Sequence, residues 1–498
     1  MSDPSAISNL LSYLPRATDD TPAASLDPAP STSLTSWRAL WSVLATHSLE
    51  LQREGVIDEA GLSTIARALD AVLMHRAPSG SLPSLLAEIE ERVDALLPAE
   101  FSGVATLGLA REDAQATAVR LLWLESVGIA SDSFELLRRE LVSLGEAHAM
   151  TLMPAMIAGR PAQPTMLGHF LGGVISPLRA VSERLNLTTS RLARSPLGAG
   201  LMAGEMIVID RERAAKTLGF PIPIGNTFDA VANVEDFVAV LEALAAGLAP
   251  LGRLLREFAS WIRTSPNSLV LTEQWEQKPE PTVPSLTLSV PLMSLIDRLD
   301  EAQRQHAACV VRLRTADYAP LGHLQSVLAE FSDSLIPQSG RLFAEVRNFL
   351  ANGLLVNRAY LGNRAGRGYT TAGDLASFLM TEEQLPPSAA RGIASFVAGK
   401  LSEQSLETNA VTQEMIDSAA LMLIGREIKV EIETLGRYLA PRRFIERRQV
   451  TGSPAADQLR AWLAEERDAL VDSRSSGISD ALDRLQADIA ELAAEDSQ

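Results

Sequence analysis

Residues 195–220, SPLGAGLMAGEMIVIDRERAAKTLGF, hold the densest set of residues able to shape a site. Gly198, Gly200 and Gly204 fall close together, and glycine serves where a backbone bends sharply or comes close to another group. Ile207, Val208 and Ile209 form a short apolar run. It leads into Asp210, Arg211 and Glu212, the charged start of a helix that Ala214, Ala215 and Lys216 continue. An irregular loop between long helices can present backbone N–H groups to an anion. The plainer reading, which composition favours, is a tight crossing of two helices. Other chemistries find no support in the spacing. The six histidines are scattered with no pair at ligand spacing, so no metal is expected, and no cofactor either. There is no phosphate loop, and Gly198-Ala199-Gly200 does not follow a strand as a dinucleotide fingerprint would.

The elements that must position this loop read as helices. The chain has 498 residues, 46% hydrophobic and 21% charged, an ordinary globular composition. Its net charge of −18 argues against nucleic acid or an anionic membrane as the main partner, while leaving room for a local basic pocket. Cys309 is the single cysteine, which excludes an intrachain disulfide and fits a reducing compartment. No leader segment and no apolar run of spanning length are read, so a cytoplasmic protein with no membrane contact is expected. Residues 1–35 read as an irregular arm rich in Ser, Pro and Ala. From Trp37 the spacing turns helical, with Leu40, Val43, Leu44 and His47 on one face. Asp58 and Pro83 start further helices. Residues 115–148 read as one long helix with Gly128 and Ser131 as bends, and Pro154, Pro161 and Pro164 break the chain beyond it. Long stretches at 231–262, 286–313 and 321–356 exceed the mean helix of about 11–12 residues and suggest a bundle. Almost no sheet is expected. Asn363 to Gly368 is a glycine-rich break, and 478–492 reads as an extra surface helix or tail.

SPLGAG, the following AG, IDRE and LGF, together with Asn226, Asp229, Ala230 and Val231, occur in one order. In that order they resemble the argininosuccinate lyase family of the fumarase/aspartase superfamily. Residues 369–379, 385–392 and 448–454 resemble further family segments, so the likeness covers roughly residues 45–470. It implies an all-α, three-domain fold, divided here at 36–112, 113–364 and 365–498. The long central helices of four subunits would form one bundle, giving a homotetramer, or a hetero-oligomer with a homologous lyase. Each active site would draw segments from three subunits. The reaction it implies removes a proton beside a carboxylate and expels an amine or alkoxide, which needs a base, an anion cradle and an acid. The family's N-terminal W-G-G-R-F segment has no counterpart here.

Motif by motif, the frame is kept and the proton-transfer groups are not. The family's T-G-R-S-R-N-D-Q aligns with residues 107–114, keeping Arg111 and Asp113 but replacing Ser and Asn with Ala110 and Glu112. Arg111 can clamp a carboxylate bidentately or simply pair with Glu112 or Asp113 at a helix start. The family's M-P-G-Y-T-H-L-Q-R-A-Q-P aligns with residues 153–164. It keeps Gln163 but reads Ile157-Ala158 where Thr-His stands, and His169 beyond it reads as packing. The mobile loop that carries the family's catalytic serine aligns with residues 271–281. Lys278 is kept, and Glu273 falls at the serine's place, either a replacement base or a solvated acidic loop. Tyr318, His323 and Gln325 lie where the family binds the amine half of its substrate. His323 is a displaced acid–base group or a turn residue. Ser195 joins Arg111, Asp113, Gln163, Lys278, Tyr318 and Gln325 as candidate substrate-binding residues. Base and acid each contribute ~10²–10⁴-fold. Losing both leads to an expectation of negligible argininosuccinate cleavage. Two readings remain: a repurposed lyase acting on a carboxylate-containing substrate, or an inactive paralogue serving as scaffold or partner subunit.

Overall fold

A computed structural model describes residues 34–495, other than 76–77, 266, 276–277, 281–282, 321, 368–369, 405, 407–409 and 472–476. The body of the expected N-terminal arm lies outside the described residues, as do the side chains of Lys278 and His323.

Three helices come first. The Thr35 hydroxyl caps α1 (Ser36–Arg53) by accepting from the Arg38 amide at 3.2 Å. Asp58 caps α2 (Glu59–Met74), accepting from the Gly61 amide at 2.8 Å. Pro83 sits in the first turn of α3 (Leu82–Leu96), where its missing N–H would have had no partner. Leu40, Ile65, Leu69 and Leu86 bury the space between them, and the Trp41 indole donates to the Leu69 carbonyl at 2.8 Å.

The bundle begins with α4 (Arg111–Ala147), 37 residues long, with Glu112 and Asp113 at its positive end. It runs without interruption through Gly128 and Ser131, both buried. The prolines at 154, 161 and 164 lie in a hairpin of β1 (Leu152–Ile157) and β2 (Arg160–Met166). Each strand is an edge of a two-stranded pair, where proline is tolerated. Then come α5 (Leu167–Leu192), β3 (Arg194–Ser195), α6 (Arg211–Thr217) and β4 (Ile222–Pro223), with β3 parallel to β4. Asn226 caps the short α7 (Thr227–Ala232), and α8 (Glu235–Thr264) returns along the bundle. Strand β5 (Leu269–Leu271), a 3₁₀ turn (Glu273–Trp275) and the antiparallel pair β6 (Lys278–Glu280) and β7 (Val283–Leu288) lead into α9 (Val290–Arg314). The expected continuous stretch at 321–356 is divided. It forms α10 (Gly322–Asp333), α11 (Leu335–Asn348), a π turn (Phe349–Gly353) and β8 (Leu354–Val356), which pairs with β5. Pro337 explains the break: its ring would clash with the carbonyl of Asp333 in a continuing helix, but it fits the first turn of a new one.

Side-chain contacts fix the directions. Ser182 of α5 bonds Glu135 of α4 near mid-bundle, and the Arg120 guanidinium reaches the carbonyl of Leu192 at 3.0 Å, so α5 runs back along α4. Arg314 meets Glu235 and Glu242, so α9 runs antiparallel to α8. The Trp123 indole donates to the Leu328 carbonyl at 2.7 Å and Ser126 to the Ser332 carbonyl at 2.8 Å, so α10 and α11 run alongside α4. Gly340 lets α11 lie close on α4: a Cβ there would stand 3.2 Å from the Ala130 Cα, a tight contact. By length and apolar composition α8 could cross a bilayer, contrary to the expectation that no run is long enough. Most of that stretch is buried within the molecule, where it serves as a core helix.

The C-terminal part adds α12 (Arg358–Arg364), α13 (Ala372–Thr381), α14 (Pro387–Glu403), α15 (Gln413–Ile424), α16 (Ile432–Leu439) and α17 (Pro441–Glu446). Leu375, Phe378, Ile393, Val397, Ile416 and Leu435 form a core of their own there. Helices α18 (Ala456–Asp468) and α19 (Ile478–Glu495) rejoin the main core. The last helix is thus more than a surface tail. Ile478, Leu482, Leu485 and Ile489 are buried, and the Ser63 hydroxyl of α2 donates to the Leu492 carbonyl at 3.0 Å. The all-α expectation holds: sheet among the described residues is confined to two-stranded pairs.

Candidate functional site

Helix α4 starts where the glycine loop, α6 and α10 meet. Asp113, in its first turn, is 1% exposed. Its carboxylate accepts the Gly200 amide at 2.9 Å and also bonds the Gly198 amide. Both glycines adopt left-handed backbone, φ +77 at Gly198 and +62 at Gly200. From the other side Arg211 of α6 donates to the Leu197 carbonyl at 2.9 Å and the Pro196 carbonyl at 3.4 Å. The loop is therefore gripped by a carboxylate on its amides and a guanidinium on its carbonyls. The cradle expected for an external anion is in part occupied from inside the protein.

Asp113 is also the most perturbed acid at this end. Burial pushes its carboxyl up to about 7, against the pull of the Gly200 and Gly198 amides, while the nearby Glu205 carboxylate pushes it further up. Its Oδ1 has no hydrogen-bond partner. Burial lowers the Arg211 guanidinium, and the Asp113 charge opposes that shift.

The other candidates at this end divide by exposure. Ser195 is fully buried, its hydroxyl accepting from the Leu197 amide at 3.3 Å within the loop. Gln325 of α10 is fully buried and donates to the Glu112 carbonyl at 3.2 Å, with its own Oε1 unpartnered. Tyr318, between α9 and α10, is exposed and stacks on Phe228 of α7, centroids 5.7 Å apart and planes within 5°. Arg111 points outward and pairs with Glu90 of α3 at 2.6 Å, the Arg111 side chain being 62% exposed. Behind the loop, Asp236 of α8 draws together Arg120 at 3.1 Å, Arg194 at 3.1 Å and Arg191 at 3.4 Å, with Asp236 and Arg120 both buried.

The remaining candidates lie at the opposite end of the bundle. Ile157 is exposed at the hairpin tip, and Ala158 takes φ +50 beside Gly159 at +76, two left-handed residues in the turn. Gln163 is exposed on β2, Glu273 is exposed in the 3₁₀ turn, and the Lys278 backbone belongs to β6. His169 sits 3.0 Å from the Thr165 hydroxyl and 3.1 Å from the Gly452 carbonyl, tying α5 to the segment before α18. A 37-residue helix is about 55 Å long, so the hairpin after α4 stands far from Arg111 and Asp113 at its start. A single chain does not bring the two sets together. Among the described residues no group of three or more His, Cys, Asp or Glu is arranged to hold a metal ion.

Sequence reasoning passed over Glu90, Arg211 as a loop clamp, and the Asp236–Arg120 pair. Arg211 stood in the motif but read as a helix start. Glu90 and Arg111 are 21 residues apart, and Arg120 and Asp236 are 116 apart, so no local spacing announces either pair.

A family model described as a lyase matches residues 44–278. The argininosuccinate lyase of Methanoculleus marisnigri is 27% identical over 443 residues, 85% of this chain and 85% of that one. Among solved structures, EDDS lyase in complex with formate matches with a TM-score of 0.79 at 21% identity, over 93% of each chain. A class II fumarase from Schistosoma mansoni matches with a TM-score of 0.62 at 13% identity, over 82% of this chain and 90% of that one. At these identities the two structures speak for the fold alone.

Proposed function

We propose that the chain belongs to the fumarase/aspartase superfamily of lyases and is a carbon–nitrogen lyase turned to a substrate other than argininosuccinate. In this reading Arg111 clamps a carboxylate of the substrate. A base removes the proton from the adjacent carbon, charge builds on the carboxylate as an aci-carboxylate, and the amine leaves with a proton from an acid. The reverse direction adds an amine to an unsaturated carboxylate. Glu273 is the candidate base and His323 the candidate acid, with Gln163, Lys278, Tyr318 and Gln325 completing the contacts. The two sets of residues sit at opposite ends of a helix about 55 Å long, so a shared site needs more than one chain, which favours a homotetramer.

One observation carries the departure from argininosuccinate. Ala158 occupies the hairpin turn where the resemblance places a histidine, and alanine moves no proton. Meanwhile Arg111 and the Asp113–Gly200 frame are in place at the other end. The test is to offer the purified protein argininosuccinate, and fumarate with a panel of amines. Turnover should appear with an amine adduct and stay negligible with argininosuccinate. Arginine release at an ordinary family rate would overturn the reading.

The same alanine favours a second reading, a partner subunit completing the site of a homologous lyase. Co-purification with a chain that carries the missing serine and histidine, and no turnover alone, would select it.

A further inference from the structure

We infer that Glu90 is a specificity-determining residue, which makes the Arg111 end select ligands that carry an ammonium group beside their carboxylate. The inference rests on Arg111 acting as the carboxylate clamp.

Glu90 projects from α3 between Ile89 and Val93, which are 0% and 1% exposed, so its backbone is anchored in the core. Its side chain is only 18% exposed, against 62% for Arg111. Of the two partners, the arginine is the one free to swing away. Both line a cleft of about 440 Å³ between α3 and the turn before α4, with Ala87, Val93 and Ala105 as apolar wall, the Thr106 hydroxyl, and Glu91, a second acid that is exposed to solvent where Glu90 is not. That volume suits a small organic ligand. Asp94, also on this wall, is already engaged: its carboxylate accepts the Gly103 amide at 2.6 Å and the Ser102 hydroxyl at 3.0 Å. Glu90 instead faces the cleft through its ion pair with Arg111 at 2.6 Å.

Ligand binding here is an exchange of ion pairs. A simple carboxylate that takes Arg111 strips Glu90 of its counter-charge and leaves a mostly buried anion unpaired, which is costly. A ligand with an ammonium a few bonds from its carboxylate gives Arg111 a new anion and Glu90 a new cation. Charge is conserved at both positions, and no anion is left bare. The preference therefore comes from Glu90 as a penalty on the wrong ligand as much as an attraction for the right one.

Calorimetric titration with succinate and with aspartate tests this, because the two share a carbon skeleton and differ by the ammonium. The full-length protein should bind aspartate more tightly by roughly tenfold. Glu90→Gln should bring the two within about twofold, chiefly by tightening succinate. Glu90→Asp keeps the charge and should keep the direction of preference. Arg111→Ala should weaken both ligands, and the thermal midpoint of each variant reports that it is folded. An unchanged aspartate-to-succinate ratio in Glu90→Gln, with both ligands bound, would overturn the role of Glu90 alone. Absence of binding by the unaltered protein and by Glu90→Gln, or binding indifferent to Arg111→Ala, would overturn the clamp and this inference together.

Discussion

At the end of the bundle where α4 begins, Asp113, Ser195 and Gln325 are buried; the first two are bonded to backbone of the glycine loop and Gln325 to the Glu112 carbonyl at the start of α4. At the hairpin end Ile157, Gln163 and Glu273 are exposed, and the tip is a two-residue turn holding Ala158 and Gly159. The comparison shows which end of the bundle the fold itself holds in place. A carboxylate that caps two amides in the core cannot change without disturbing the fold. A side chain at a hairpin tip can change with little structural consequence, so chemistry placed there is free to drift or be replaced.

The contrast can be broken by stability measurements. Asp236→Ala leaves the buried Arg120 without its carboxylate and also releases Arg194 and Arg191, so a loss of about 3–5 kcal/mol is expected in urea unfolding. Its counterpart at the hairpin end, Glu273→Ala, should stay within about 0.5 kcal/mol. Equal costs would refute the division. Next comes Gly200→Ala. A Cβ there would sit 2.6 Å from the Gly204 carbonyl oxygen on left-handed backbone, with an expected cost of about 2–4 kcal/mol.

Asp113 sharpens the comparison through pH. Its folded carboxyl titrates near 7 and its unfolded one near 3.8, so the folded state holds the proton more tightly. Stability from this group is fully present below about pH 4 and is lost as pH rises through 7. Relative to Asp113→Asn, the unaltered protein should lose on the order of 2 kcal/mol between pH 5 and pH 8. A flat difference in unfolding midpoints across that range would show that the buried carboxyl is not what titrates. A smaller effect belongs to the hairpin: Gly159→Ala, with Thr264 Cγ2 at 3.7 Å as its nearest neighbour, should cost about 1 kcal/mol from backbone strain alone.

Much of the fold was readable from spacing. The i, i+3, i+4 pattern from Trp37 is α1, and the apolar run near 115–148 is most of α4. The readings that failed did so for local reasons that packing settles. The stretch at 321–356 looked continuous but divides ahead of Pro337. Pro154, Pro161 and Pro164, by contrast, do interrupt the helical run as read, and the segment that holds them is a hairpin. The glycine loop was legible as a tight crossing. That Asp113 and Arg211 grip it from opposite sides was not.

By itself the sequence determined the helical class, the bundle of long rods and the glycine loop, because propensity and periodicity are local properties. Only the tertiary structure decided which distant residues meet. It set Glu90 on Arg111 and Asp236 on Arg120, it turned the Asp113 carboxylate onto Gly200, and it put the hairpin at the far end of α4 from all of them. Ion pairs and buried hydrogen bonds depend on distances in space and on exclusion of water, and neither is a function of separation along the chain.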